Sequence, residues 1–448
     1  MTQTTAVPED KLDFKRILPI FVIVLVDLLG LTIIIPLLPY YAVEFGANPF
    51  LIGVLAAAYP VMQLIGGPLL GGLSDRFGRK PILLISQVGT FAGFILLGVS
   101  NTLLLVFLAR IIDGISGANF VAAQAAITDS TTERTRTQGL GLVGAAFGIG
   151  FTLGPVIAFI ALGLSGNDYR APAFVAAAFS LLSILLTAFW FRETLPPEQR
   201  GHKRGRSGGL IAQISRGVRT PQVGVLLVLM FLQQLVFGGL ESLLALFNLS
   251  RLGMDGMGNT VVFVFIGVLI VLVQGKYIGP WSRRYGERRL IYAGLGLLAI
   301  GLILTALTPE VAVPWYSRAA IVAESAREAG AVEIAVPLPS EVNRGWVGLA
   351  WLFVAMVPAT IGGGILSPSI NSLITKRVSG AEVGGMLGVS ASLVSAANAI
   401  TPIAGGALFQ LLGTTAPFLI GGLAMAALLV AALRYVGPGP EAASPSTA

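Results

Sequence analysis

The chain is 448 residues long and 55% hydrophobic, with only 11% charged residues and a net charge of +7 at neutral pH. A soluble domain carries about 25% charged residues, so an ordinary soluble enzyme is excluded and a membrane protein is indicated, in keeping with a mean hydropathy of +0.83. No cysteine is present, which removes disulfides and thiolate metal sites from consideration.

A membrane-crossing helix needs about 20 predominantly apolar residues, and twelve such runs follow one another along the chain. Span 1 (17–41) carries Asp27 about halfway along, and it is too long and too interrupted for a cleaved signal peptide. Spans 2 (50–73) and 3 (81–99) enclose GGLSDRFGRKPILL (71–84), where Asp75, Arg76, Arg79 and Lys80 fall within six residues. A joint of about eight residues leaves no slack, so Gly78 is expected to supply a permissive backbone for an immediate turn. Span 4 (103–127) places Arg110 and Asp113 at i and i+3, on one face with Gly114 and Gly117. That spacing suits a paired structural couple or a functional ion site. In span 5 (139–163), Gly141, Gly150 and Gly154 recur on nearly one face, where backbones can approach closely, and Pro155 removes a helix hydrogen bond. A bend sealing one side is expected there. Span 6 (171–191) closes the first set.

The stretch 192–220 is basic and rich in Gly, Ser and Pro, as a linker is. It holds the single histidine, His202, so an intramembrane proton relay must rely on carboxylates. Span 7 (221–247) begins a stripe of small and polar residues, Gln234, Gly238, Glu241, Ala245 and Asn248. Spans 8 (258–281) and 9 (290–307) enclose GPWSRRYGERRLIY (279–292); Lys276 lies near a span end and can snorkel. Within the polar segment 308–345, SRAAIVAESAREAG (317–330) predicts a short amphipathic helix, read either as an exposed loop helix or as a lid or docking element. Spans 10 (346–374), 11 (384–412, with Asn398 and Pro402) and 12 (414–435) complete the chain.

The two sextets match. Aligning GGLSDRFGRK with GPWSRRYGER puts Asp75 on Arg283 at an offset of 208, and Pro155 falls on Pro402 at an offset of 247. The difference of 39 residues is about the length of the inserted segment near 308–345. The expected architecture is an all-α membrane protein of two pseudo-symmetric six-helix bundles, 1–191 and 221–448, joined by 192–220. Of 29 basic residues, 22 lie at the termini (counting Arg434 in the last turn of span 12) and in the loops on their side, against five in the opposite loops. The positive-inside rule therefore predicts cytoplasmic termini in an inner membrane, and it accounts for the basic charge without nucleic acid.

This arrangement resembles the major facilitator superfamily over essentially the whole chain apart from 308–345. The stretch Gly71, Asp75-Arg76, Gly78, Arg79-Lys80 resembles that superfamily's signature between spans 2 and 3. Gly141, Gly150 and Gly154-Pro155 resemble the span-5 signature of drug/proton antiporters, although Ala158-Phe159 replaces its closing glycines. VDLLGLTIIIPLLP (26–39) resembles tetracycline/proton antiporters, and RIIDGISGA (110–118) resembles the family's basic span-4 motif. The resemblance implies a conformational latch in which Asp75 acts in one of two states and Asp129 partners Arg79. In the second half Arg283 stands in the aspartate's place, so any second latch must differ or be weaker.

An ionisable side chain at the bilayer centre costs roughly 2.5–3.5 kcal/mol, which marks Asp27, Arg110, Asp113 and Glu241, with Gln234 and Asn398, as the proton and substrate candidates. An isolated Asp27 favours its protonated form unless Arg110 approaches from span 4. The resulting expectation is a monomeric secondary transporter in the lipid bilayer, exporting a lipophilic or cationic small molecule in exchange for protons. A proton-coupled importer of a small polar nutrient and a non-transporting receptor on the same scaffold are the alternatives. Phosphate-loop and zinc-site motifs are absent from the sequence, so no cofactor, metal or enzymatic reaction is expected.

Overall fold

The structure is a computed structural model and describes residues 14–117, 119–131, 136–200, 215, 217–220, 223–319, 321, 335–378 and 383–437. Apart from one isolated bridge between Ala312 and Arg344, the regular structure among these residues is helical. Eleven segments are long and apolar enough to cross a membrane. In the first half these are span 1 (Phe14–Glu44), span 2 (Pro49–Phe77), span 3 (Arg79–Gly98), span 5 (Arg136–Ser165) and span 6 (Arg170–Phe189). In the second half they are span 7 (Gly224–Leu252), span 8 (Gly256–Tyr285), span 9 (Glu287–Ala306), span 10 (Val347–Arg377), span 11 (Val383–Leu412) and span 12 (Ala416–Tyr435). Span 4 takes the twelfth place and is described as Leu103–Ser116 and Asn119–Asp129, on either side of residues 117 and 118.

Local chemistry sets the ends. Asn48 accepts the N–H of Leu51 at 2.9 Å and Pro49 occupies the first position of span 2, while Asp255 accepts the N–H of Gly258 at 2.8 Å to open span 8. Span 1 breaks between Ile34 and Leu38, where Pro36 interrupts the hydrogen-bond ladder, and resumes as Leu38–Glu44 with Pro39 in its first turn. Span 8 contains a π-helical stretch, Leu272–Tyr277, which the apolar pattern does not reveal.

The joint between spans 2 and 3 is shorter than the eight residues expected from hydropathy. Span 2 runs to Phe77 and span 3 starts at Arg79, so Gly78 alone makes the corner, at φ 107°. The charges of this stretch are helical residues, because helix geometry continues past the point where hydropathy falls. Gly286, at φ 76°, makes the matching corner between spans 8 and 9.

Within the first half, span 1 packs on spans 5 and 6, and span 3 on spans 4 and 6; within the second, span 7 packs on spans 11 and 12, and span 9 on spans 10 and 12. Between the halves, span 2 lies along span 11 and span 5 along span 8. Lipid gives helices no hydrophobic reason to associate, so close backbone approach at small residues matters here. A Cβ on Gly53 would stand 2.1 Å from the carbonyl oxygen of Pro402, and one on Gly406 would stand 2.5 Å from that of Pro49. Towards the ends that carry the 71–84 and 279–292 corners (the basic end, hereafter), Gly72, Gly275 and Gly388 face open space to at least 4 Å. The halves meet at the far end, while at the basic end no other element stands within 4 Å of these three glycine positions.

Side chains reinforce the far-end closure. Tyr40 donates its hydroxyl to the Met254 carbonyl (3.0 Å), Asn259 donates to the Pro36 carbonyl (2.9 Å), and the Gly256 N–H donates to the Tyr169 hydroxyl (3.2 Å). The inserted segment folds onto this same end: the Val313 N–H reaches the Leu252 carbonyl at 2.8 Å, and buried Tyr316 donates to the Pro339 carbonyl. Most of the helix expected over 317–330 lies outside the described residues.

Candidate functional site

The first-half polar centre is built on span 4. Arg110 Nη1 lies 2.7 Å from Asp113 Oδ2, and both side chains are buried. Gly93 of span 3 admits the aspartate, since a Cβ there would stand 3.0 Å from Asp113 Cβ. The Arg110 guanidinium sits over the ring of Tyr59, 4.8 Å from its centroid, a placement in which the aromatic face attracts the cation. Gly114 and Gly117 leave the room Tyr59 needs against span 4. Asp27 of span 1 is partly buried and lies within electrostatic range of both Asp113 and Tyr59. The structure thus gathers Asp27, Arg110 and Asp113 in one region, and Arg110 is held there by Asp113.

The second-half centre faces span 11. Gln234 Nε2 donates to Asn398 Oδ1 at 2.9 Å, and Gly238 lies beside the same amide. Glu241, one turn further along the stripe, is partly buried and has no hydrogen bond or ion pair among the described residues. Asn248, which shares the stripe by spacing, is not in this centre. It is buried and donates to Asn259 Oδ1 at 2.8 Å, joining the far-end closure through the Pro36 carbonyl.

The charged corner at Gly78 is a network. Arg79 is 2% exposed; its Nε lies 2.9 Å from Asp129, and its Nη1 reaches Asp75 at 2.6 Å and Ser74 at 3.0 Å. Glu193, beyond span 6, caps span 3 by accepting the backbone N–H groups of Arg79 (2.9 Å) and Lys80 (3.1 Å). A Cβ on Gly78 would stand 2.4 Å from Glu193 Oε2, so the corner glycine serves both its φ and this approach. Lys80 Nζ donates to the Ala188 carbonyl at 2.8 Å, while Arg76 lies exposed over the ring of Phe77. Gly71 lies in span 2, two turns before the corner.

In span 5 the small-residue face packs on span 1. Thr32 Oγ1 donates to the Gly150 carbonyl at 2.9 Å, and Thr32 also fills the place a Cβ on Gly154 would need. The helix continues through Pro155, and Gly141 lies in its first turns. The opposite face meets span 8, where Thr152 donates to the Gly267 carbonyl at 3.2 Å.

Sequence reasoning missed Glu193, Tyr59 and Asn259. Glu193 reads as the start of a polar linker, yet Phe191 and Leu195 beside it are buried, so this part of 192–220 docks on the first half. Tyr59 carries no charge and sits in an apolar run; only its contact with Arg110 sets it apart. Asn259 had a signal, a polar residue just inside an apolar span.

The sequence profile of the Major Facilitator Superfamily matches residues 20–331. The chain is 30% identical over 433 residues to tetracycline resistance protein, class E, of Escherichia coli, covering 95% of this chain and 96% of that protein. It is 28% identical over 389 residues to the class B protein of Escherichia coli, covering 85% of each. Over 385 residues it is 25% identical to multidrug resistance protein 1 of Bacillus subtilis (strain 168), covering 86% of this chain and 87% of that protein. Among solved structures, the nucleoside transporter NupG aligns with a TM-score of 0.69 at 13% identity, covering 94% of this chain and 99% of that one. The human organic anion transporter MFSD10 (TETRAN) aligns with a TM-score of 0.64 at 21% identity, covering 93% and 99%. At these identities the two structures speak for the fold alone.

Proposed function

The chain belongs to the major facilitator superfamily, and from that premise we propose that it exports lipophilic, cationic small molecules in exchange for protons. The observation that carries this reading is Glu241, a partly buried carboxylate with no ionic or hydrogen-bonded partner among the described residues. A carboxylate removed from water is stabilised by a paired cation, and a cationic substrate supplies one. The tetracycline and multidrug resistance relatives support the drug-like class. A small polar nutrient would call for several unsatisfied polar contacts, whereas Gln234 and Asn398 already bond to each other.

On this reading the two halves, 1–191 and 221–448, rock about the central cavity with 192–220 between them. The basic end is cytoplasmic by the positive-inside rule, so the chain is held open to the cytoplasm and closed to the outside. Proton coupling belongs to the first-half centre. Asp27 and Asp113 compete for Arg110, and a state that changes those distances changes proton affinity. No cofactor takes part.

Expression in a bacterial host stripped of its efflux pumps, challenged with a panel of growth inhibitors, tests the proposal. Resistance to ethidium and other lipophilic cations, lost in Glu241→Gln, is the expected result. Resistance confined to neutral compounds and unaffected by Glu241→Gln overturns it.

A further inference from the structure

The corner between spans 2 and 3 has a counterpart between spans 8 and 9, in which the charges at Asp75 and Arg79 are reversed while those at Arg76 and Lys80 stay basic as Arg284 and Arg288. The offset of 208 that aligns the two corners places Ser74 on Ser282, Asp75 on Arg283 and Arg79 on Glu287. The offset of 247 that applies after the insertion places Asp129 on Lys376. The structure brings the second set together as it does the first. Lys376 Nζ lies 2.5 Å from Glu287 Oε1, which also accepts the hydroxyls of Ser282 (2.9 Å) and Ser372 (3.1 Å).

We propose that Ser282, Glu287 and Lys376 form a second clamp, of inverted polarity, that positions the basic ends of spans 8, 9 and 10 during the transport cycle. The proposal rests on the chain being a transporter and not on which substrate it carries.

Three observations converge. In each half the residue that opens the third helix of the repeat is ionisable yet buried, Arg79 at 2% and Glu287 at 5% exposure. Each is tied to the last turns of the helix that follows, Asp129 ending span 4 and Lys376 near the end of span 10. Reversing one charge alone would set like charges against each other, so the reversal of both partners keeps the attraction. The serine is the one unchanged member, and chemistry explains why. A hydroxyl accepts from a guanidinium in the first half and donates to a carboxylate in the second.

Topology does not explain Glu287. The basic end is anchored by positive charge, Gly286 makes the corner, and burying a carboxylate is unfavourable unless it is paired and hydrogen-bonded. Arg283, in Asp75's place, is exposed and makes no ion pair among the described residues, so the second clamp is the simpler one.

The clamp is closed in a state whose far end is also closed, so releasing it should disfavour that state. The absence of native cysteine makes this measurable in the full-length protein without any substrate. Met254 is 1% exposed at the far-end closure, and a cysteine there (Met254→Cys) would react with a maleimide only when that end opens. Glu287→Gln and Lys376→Gln are each expected to raise the labelling rate several-fold, and Lys376→Arg to leave it unchanged. The exchange Glu287→Lys with Lys376→Glu should return the rate most of the way. Full return is not expected, because a lysine opposes the dipole at the start of span 9. Lys376 is 46% exposed in its side chain, so Lys376→Gln carries the test should Glu287→Gln fail to accumulate. Parental labelling in the single variants, or a lower Tm without faster labelling, overturns the proposal, as does an exchange variant no closer to the parent than the singles. A wrong substrate class would leave this result untouched.

Discussion

Asp27 and Glu241 sit in different halves, and their surroundings suit different tasks. Asp27 shares a region with Arg110 and Asp113, where a proton can be traded against a cation already in place. Asp27→Asn is therefore expected to abolish substrate-induced proton release from the purified protein while binding survives. Undiminished release would pass the role to Asp113. Glu241 lacks such a neighbour among the described residues, so Glu241→Gln should weaken ethidium binding by about tenfold, the loss of about 1.4 kcal/mol, and spare neutral compounds. Equal weakening of both would remove Glu241 from cation recognition. Tyr59 faces Arg110 through its ring rather than its hydroxyl. Tyr59→Phe should keep transport, and Tyr59→Leu should lower it, by the roughly 0.5–2 kcal/mol a cation–π contact contributes. Uptake assays in vesicles separate the two. The charged residues were legible in the sequence because charge is rare in an apolar span. Tyr59 was not, since an aromatic residue there looks like any other apolar one.

At the scale of elements, two corners and two helix pairs matter most. Glu193 satisfies two N–H groups at the start of span 3 that the helix itself leaves unbonded. Glu193→Ala should destabilise the first half by about 1–2 kcal/mol, the range of a lost cap, read as a lower Tm, with Glu193→Gln milder. An unchanged Tm in Glu193→Ala would show that water replaces the cap. The contact of span 2 with span 11 depends on Gly53 and Gly406, each against opposing backbone that cannot yield as a side chain can. Gly53→Val should therefore hold the far end open, raising maleimide labelling of Met254→Cys and stopping transport without loss of protein. The twelve runs were readable from hydropathy, but the joint at Gly78 was not. Charged residues that extend a helix look like a loop when only their polarity is considered.

For the whole molecule, the asymmetry is between a far end where the described inter-half hydrogen bonds of Tyr40, Tyr169 and Asn259 gather and a basic end that carries the charged corners. The distribution of 22 basic residues against five predicts that the basic end is cytoplasmic. Single cysteines at Asn48 and at Ser207, the latter outside the described residues, test this with an impermeant thiol reagent applied to intact cells. Labelling at Asn48→Cys and protection at Ser207→Cys is expected; the reverse pattern overturns the orientation.

The sequence by itself determined the membrane class, the count of spans, the repeat and the places where charge enters the bilayer. These follow from composition and from distances along the chain, which the one-dimensional pattern records. Only the tertiary structure decided which charges pair, which end is closed, and that Asn248 serves the closure while Glu241 stands apart from it. Both stand on the same helical stripe, so spacing treats them alike. What separates them is the neighbour each meets, Asn259 from span 8 for one and no described partner for the other. The same reason hid the second clamp. Glu287 and Lys376 are 89 residues apart in sequence, and an attraction between opposite charges leaves no mark on the sequence until folding brings them within reach.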